Sequence, residues 1–179
     1  MTQGVAKMMA SAEPPASGGK NLGNNARSVA RLGAVQALYQ MDVAGTQLDD
    51  IVDEFVHHRF GQEIEGEIYP QADEAHFEDV IRGVVREQRD IDLAINGALA
   101  KNWSLTRIDS TLRAILRAGT YELRRCKDVP VKVVINEYVD VAHAFFEGDE
   151  PGVVNAVLDR LGANQRKTGG AGNAAAGTS

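Results

Sequence analysis

The sequence predicts an all-α protein. Three observations carry this: apolar residues recur at intervals of three and four along most of the chain, helix-capping residues stand where those stripes begin, and strand signals are weak. The chain has 179 residues, 44% hydrophobic and 25% charged. That composition is ordinary for a globular protein, and the length fits one domain with loose ends.

Residues 1–23 are rich in Gly, Ala, Ser and Pro, with Pro14-Pro15 and Gly18-Gly19, and show no periodicity. Residues 163–179 are similar, with Gly169-Gly170-Ala171-Gly172-Asn173 followed by three alanines. Neither segment can bury enough apolar surface to offset its ordering entropy, so both are expected to be disordered. The helical core is expected over 24–162. Asn24 or Asn25 caps a first helix with Val29, Leu32, Val35, Leu38 and Tyr39 in one stripe, and Gly45 ends it. Leu48, Ile51, Val52, Phe55 and Val56 repeat the pattern in a second helix. A loop from Gly61 to Gln71 contains the breakers Gly66 and Pro70. Asp73 caps a third helix carrying Phe77, Val80, Ile81, Val84 and Val85. Its spacing resumes at Ile91, Ile95 and Leu99, so this helix runs on or kinks near Arg89.

In the second half, Ile108, Leu112, Ile115, Leu116, Gly119 and Leu123 share one helical face. Asp128 precedes Val129-Pro130 as a cap, and Val134, Ile135, Tyr138, Val141, Ala142 and Phe145 form the next stripe. Val131 to Ile135 is rich in β-branched residues and could be argued as a short strand, but the helical period continues through Phe145 and favours helix. Glu150 and Pro151 open a last helix with Val153, Val154, Val157, Leu158 and Leu161, and Gly162 suits its stop. The total is about seven helices, in two subassemblies that meet near Trp103.

The net charge of -6 is unevenly spread. Residues 49 to 79 hold eleven acids against one base, Arg59; the rest holds fourteen acids against eighteen bases. A local anion-binding face is compatible with this balance, because charges are screened over about 8 Å at physiological salt. The single cysteine, Cys126, excludes a disulfide framework within the chain and a Cys-rich zinc site. No apolar run approaches the roughly 18 residues that span a bilayer, and no secretory signal is legible. A soluble, cytoplasmic protein is expected.

Catalytic constellations are not found. The sequence has no GxxxxGK[ST], no GxGxxG and no HExxH. Of His57, His58, His76 and His143, the first two are adjacent, about 100° apart on a helix, and poorly placed to share a metal. Cys126 lies among Arg124, Arg125 and Lys127, which could lower its thiol pKa, but it has no partner base in the sequence. Glu63, Glu65 and Glu67 read as a solvated acidic segment. No enzyme activity, cofactor or metal is expected.

The basic residues are more informative. Arg27 and Arg31 stand four apart at the start of the first helix, with Lys20 just upstream. Arg113, Arg117, Arg124 and Lys127 recur along another helix. Such rows grip phosphates, although surface helices commonly carry them without any ligand. Two to four single-strand phosphate contacts give a salt slope of roughly -1.4 to -2.8, a modest affinity that needs help from base contacts or a partner. Asn136-Glu137 within an apolar helix suggests interhelical hydrogen bonds that fix register. Asn155, inside Val153-Val154-Asn-Ala-Val157, suits either that role or a surface one.

Four blocks then stand out in order: Ala34-Val35-Gln36-Ala37-Leu38-Tyr39; Ile108-Asp109-Ser110-Thr111-Leu112-Arg113-Ala114-Ile115-Leu116-Arg117-Ala118-Gly119-Thr120-Tyr121-Glu122-Leu123; Pro130-Val131-Lys132-Val133-Val134-Ile135-Asn136-Glu137; and Pro151-Gly152-Val153-Val154-Asn155-Ala156-Val157-Leu158-Asp159. Together they resemble the NusB family of transcription antitermination factors over about residues 25–162. The resemblance implies two three-helix-like bundles and no catalysis. It implies binding to the boxA element of ribosomal RNA leader transcripts. NusE, the ribosomal protein of the small subunit, would be its partner, in a complex that loads onto RNA polymerase. By the same resemblance, Arg27 and Arg31 map to an arginine-rich start of the first helix, interrupted here by Ser28 and Val29. Lys20 would assist from the arm. The segment Gly148-Asp149-Glu150 matches a loop near the RNA, where Asp149 would accept from a base amino group. Asn155 is placed on the RNA side, and Tyr39, Arg113 and Arg117 on the NusE side. Linked contacts from two proteins would raise the effective affinity of a sparse arginine pair.

Two other readings compete. The same helical pattern resembles an N-terminal module of RNA cytosine methyltransferases, which would require about 200 further residues with a cofactor-binding sheet. A structural homodimer is the other, since a homodimer could cover the RNA face.

Overall fold

In the computed structural model of the protein, residues 25–170 are described, apart from 65, 66 and 69. Six helices follow in order: α1 (Ala26–Ala44), α2 (Leu48–His58), α3 (Glu74–Ala98), α4 (Ser110–Arg125), α5 (Val131–Phe145) and α6 (Glu150–Gly170). Between α2 and α3 lie two two-residue strands, β1 (Glu63–Ile64) and β2 (Glu67–Ile68), paired antiparallel with Glu63 opposite Ile68. The protein is an all-α bundle.

Local chemistry sets the helix boundaries. The Asn25 side chain accepts from the Ser28 amide at 2.8 Å and starts α1; Gly45, at φ 68°, ends it in the left-handed region that glycine tolerates. Asp73 accepts from the His76 amide and starts α3. Asp109 accepts from the amides of Thr111 and Leu112 and starts α4. Six helices lie among the described residues, and α3 runs on through Arg89 without interruption. No Gly or Pro lies near Arg89 to break the backbone ladder, and the apolar stripe continues through buried Ile91 and Ile95. Asp128 does not cap α5; Pro130 occupies the cap position without a side-chain bond. Gly162 is not a stop either. A Cβ there would come 2.6 Å from Val131 Cγ1, so this glycine serves the close approach of α6 to the start of α5.

Helix α4 is the hub and packs against α1, α3, α5 and α6. Its amphipathic stripe is wide, and Leu112, Ala114, Ile115, Leu116, Ala118, Tyr121 and Leu123 are all buried. Glycines permit the tightest contacts: a Cβ on Gly83 of α3 would fall 2.0 Å from the Tyr121 ring, and one on Gly119 would fall 2.8 Å from Leu158. Phe55, Phe60 and Phe77 form an aromatic cluster, with ring centroids 5.0–5.8 Å apart, that seals α2 onto α3. The buried residues of both halves form one continuous core. Among the described residues, no helix is long and apolar enough to cross a membrane.

Candidate nucleic-acid and partner interface

The start of α1 places its two arginines in opposite environments. Arg27 points outward, 43% exposed, with Nε 3.3 Å from Asp73 Oδ2 and Nη1 3.3 Å from Asp128 Oδ2. Bonding to Asp128 and then Asp73 raises its pKa. Arg31 is 3% exposed. Its Nε donates to both carboxylate oxygens of Glu122, at 3.1 and 3.0 Å, and its Nη2 donates to Oε1 at 2.5 Å. Glu137 Oε2 adds an ion pair with Nη1 at 3.2 Å. The expectation that Arg27 and Arg31 form one exposed cationic ridge is therefore corrected. Arg31 turns into the seam between α1, α4 and α5, where a carboxylate buried in the face of α4 requires a cation.

Glu122 is the centre of that network and was not singled out in the sequence. It is 0% exposed, and Tyr138 Oη donates to its Oε2 at 2.9 Å while His76 Nε2 stands 3.4 Å away. Burial alone would raise its pKa. Interactions with His76 and Arg31 outweigh that and hold it down at about 2. Burial, and then the Glu122 charge, pushes the Tyr138 phenol well above its ordinary value. Ser28 Oγ donates to Glu137 Oε2 at 2.7 Å, so Glu137 does tie α5 to α1. Asn136 is exposed and takes no part. An acid inside the stripe Leu116–Gly119–Leu123 was the legible signal, paired with a base one turn inside α1.

The NusE-side candidates are also interior or paired. Tyr39 is 5% exposed, and its Oη is buried without a hydrogen-bond partner among the described residues. Its placement on a presented surface is corrected: the α1 stripe that contains Leu38 carries it inward. Arg117 grips Asp92 with two bonds of 2.8 Å, and Arg113 bonds Asp42 at 3.1 Å and the Leu105 carbonyl at 2.9 Å. With side chains 15% and 12% exposed, Arg113 and Arg117 clamp the end of α1 and the body of α3 to α4.

Asp149, in the turn before α6, and Asn155, on α6, are exposed. Helix α5 lies antiparallel to α6, because Val131 meets Gly162 and Lys127 bonds Gln165. Arg27 bonds Asp128 beside the start of α5, whereas Asp149 follows its end, so the two stand about 20 Å apart at 1.5 Å rise per residue. The structure thus does not bring Arg27 and Asp149 into one pocket; they mark opposite ends of the α5–α6 pair. Lys20 lies outside the described residues. Cys126 differs from the expectation of a lowered pKa: burial, with Glu122 and Asp79 nearby, pushes its thiol up to about 12.

Comparison with known proteins places this architecture. The NusB family model matches residues 28–163. The transcription antitermination protein NusB of Allorhizobium ampelinum is 58% identical over 137 residues, covering 76% of this chain and 86% of the relative. That of Rhodopseudomonas palustris is 59% identical over 137 residues, covering 76% and 81%. Among solved structures, NusB of T. maritima superposes with a TM-score of 0.67 at 29% identity, over 81% of this chain and 98% of that one. A chain in a crystal of a plectonemic RNA supercoil gives a TM-score of 0.67 at 25% identity, over 79% and 96%. The four sequence blocks, the six-helix bundle and these matches converge: the chain belongs to the NusB family of transcription antitermination proteins, which are not enzymes.

Proposed function

We propose that the protein binds boxA RNA of ribosomal leader transcripts together with NusE and promotes antitermination by RNA polymerase in the cytoplasm. The observation that carries this is the 58% identity to a NusB antitermination protein over 86% of that protein's length. The solved chain of the same fold in a crystal of an RNA supercoil supports an RNA ligand. Arg27, exposed at the start of α1, is offered to phosphate, with Lys20 upstream of it in the sequence; Asp149 and Asn155, exposed toward the other end of the α5–α6 pair, would make separate contacts to base edges. Arg31 acts from beneath by fixing α1. Tyr39, Arg113 and Arg117 would serve NusE by holding the α1–α3–α4 junction in shape.

One exposed arginine in two weak ion pairs gives little affinity, which is why a second RNA-binding protein is required. A mobility-shift titration with boxA RNA tests the reading, with and without NusE, at two salt concentrations. Tight binding only with NusE is expected, weakened by Arg27→Ala. Equal affinity with and without NusE rejects the cooperative part. No binding in either case rejects the RNA reading. A homodimer that RNA fails to dissociate, seen by light scattering, would favour the structural reading instead.

A further inference from the structure

A groove of about 760 Å³ opens between the later half of α3, the end of α4 and α6. Its apolar surface comes from Leu93, Ala94, Ala98, Leu123 and Leu161. Leu93 is 64% exposed, the most exposed of the large apolar residues described. Thr120 also lines the groove; it is 1% exposed, and its Oγ1 has no hydrogen-bond partner among the described residues. Three arginines frame the opening, and their charges are not equally committed. Arg125 is paired with Glu87. Arg160 donates to the Ala98 carbonyl at 2.8 Å, which leaves its charge uncompensated, and Arg124 has no carboxylate within ion-pair distance among the described residues. Asp90 is the acid in the lining.

We propose that this groove docks a short acidic, leucine-rich segment of a partner protein. Its apolar side chains would cover Leu93, Ala94 and Leu161, and its carboxylates would pair with Arg124 and Arg160. Charge complementarity selects this occupant: two uncommitted guanidinium groups beside an apolar floor suit carboxylates next to aliphatic side chains. RNA fits less well. The lining has no aromatic ring on which a base could stack, and the apolar floor offers phosphates nothing. The protein's own segments fit less well too. Residues 171–179 contain no acid, and residues 1–24 contain one, Glu13. The acidic face of α2 in a second copy lacks exposed apolar residues, since Ile51, Val52 and Phe55 are buried.

The test is backbone amide NMR on the isotope-labelled full chain, titrated with a synthetic amphipathic peptide of Leu, Ala and Asp. The controls are the same peptide with Asn for every Asp and a uridine-rich RNA oligonucleotide. Shifts confined to residues 90–98, 120–125 and 160–165 are expected with the acidic peptide alone, and about tenfold weaker binding in Arg124→Glu. Arg160→Glu removes a bond to the backbone and risks the fold, so Arg124→Glu and Leu93→Asp carry the result, with circular dichroism confirming that both are folded. Shifts elsewhere, equal binding of the Asn peptide, or unchanged affinity in both variants would overturn the proposal. RNA occupying the groove, or self-association abolished by Arg124→Glu, would overturn it as well. The boxA mobility shift of Arg124→Glu stays at the parent value, which separates this outcome from the RNA reading.

Discussion

Replacing Arg31 with Met keeps most of the side-chain volume and removes the charge. The structure then leaves Glu122 at 0% exposure with its ionised carboxylate short of three hydrogen bonds. Breaking a buried pair from one side costs about 3–5 kcal/mol, because the remaining charge is desolvated and unpaired. A domain of this size has a total stability of about 5–15 kcal/mol, so the loss is a large fraction of it. With a urea slope of about 2 kcal/mol per molar, the unfolding midpoint falls by about 2 M. The double variant Arg31→Met with Glu122→Leu removes both charges, so its loss is well below the sum of the two single losses, by more than about 2 kcal/mol. Some cost remains, because Tyr138 Oη and Glu137 lose partners. At a temperature where Arg31→Met is folded, boxA affinity with NusE changes by less than about twofold, since the guanidinium does not face solvent. An Arg31→Met protein that unfolds with the parent but no longer binds RNA would refute the reasoning, because it would put that side chain at the surface.

Four further outcomes follow from the same geometry. Glu122 is held at about 2 against an unfolded value near 4.3, so its contribution is complete above the unfolded value and is lost as pH falls toward 2. That amounts to about 3 kcal/mol in urea midpoints taken between pH 7 and pH 2, and an equal drop in Glu122→Gln would contradict it. Gly83→Ala forces a methyl group into the Tyr121 ring and should cost about 1–3 kcal/mol by thermal melting; an unchanged midpoint would mean that α3 and α4 are not in this contact. Asp128→Asn releases one partner of Arg27 and should tighten boxA binding by up to about fivefold at low salt, whereas weaker binding would show that the pair positions Arg27 usefully. With its thiol at about 12, Cys126 should react with iodoacetamide at pH 8 more than about a hundredfold slower than free cysteine; labelling at the free rate would exclude the half-buried, acid-flanked setting.

Period and punctuation made most of the fold legible. Asn25, Gly45 and Asp73 act at the boundaries their chemistry predicts, and the stripes of α1, α4, α5 and α6 face the core. Where structure and sequence pattern differ, a residue has two uses and the sequence shows only one. Gly162 has the signature of a helix stop, yet its use is to admit Val131. Asp128 has the signature of a cap, yet it bonds Arg27. Arg113 and Arg117 have the spacing of a phosphate-gripping row, and that spacing equally suits a clamp onto Asp42 and Asp92, whose positions depend on how α1 and α3 pack against α4. One-dimensional spacing places side chains on a helix; only the neighbouring helix decides whether they meet solvent or a carboxylate.

Arg27 and Arg31 show why that distinction governs function. They are one turn apart on the same helix, and spacing alone treats them as a pair. Arg27 faces Asp73 and Asp128 at 32% and 67% exposure, so a phosphate can replace either partner at a cost below about 1 kcal/mol. Arg31 faces a carboxylate without solvent, and withdrawing it would cost several times as much. A ligand can therefore recruit the first and not the second. The buried pair stabilises the packing of α1 against α4 and α5, while the binding free energy has to come from exposed groups. With so few of them on this face, the scaffold can orient a transcript but hold it only weakly. That division of labour between an interior cation that stabilises and an exterior cation that binds is the physical reason the proposed function calls for a second protein on the same RNA.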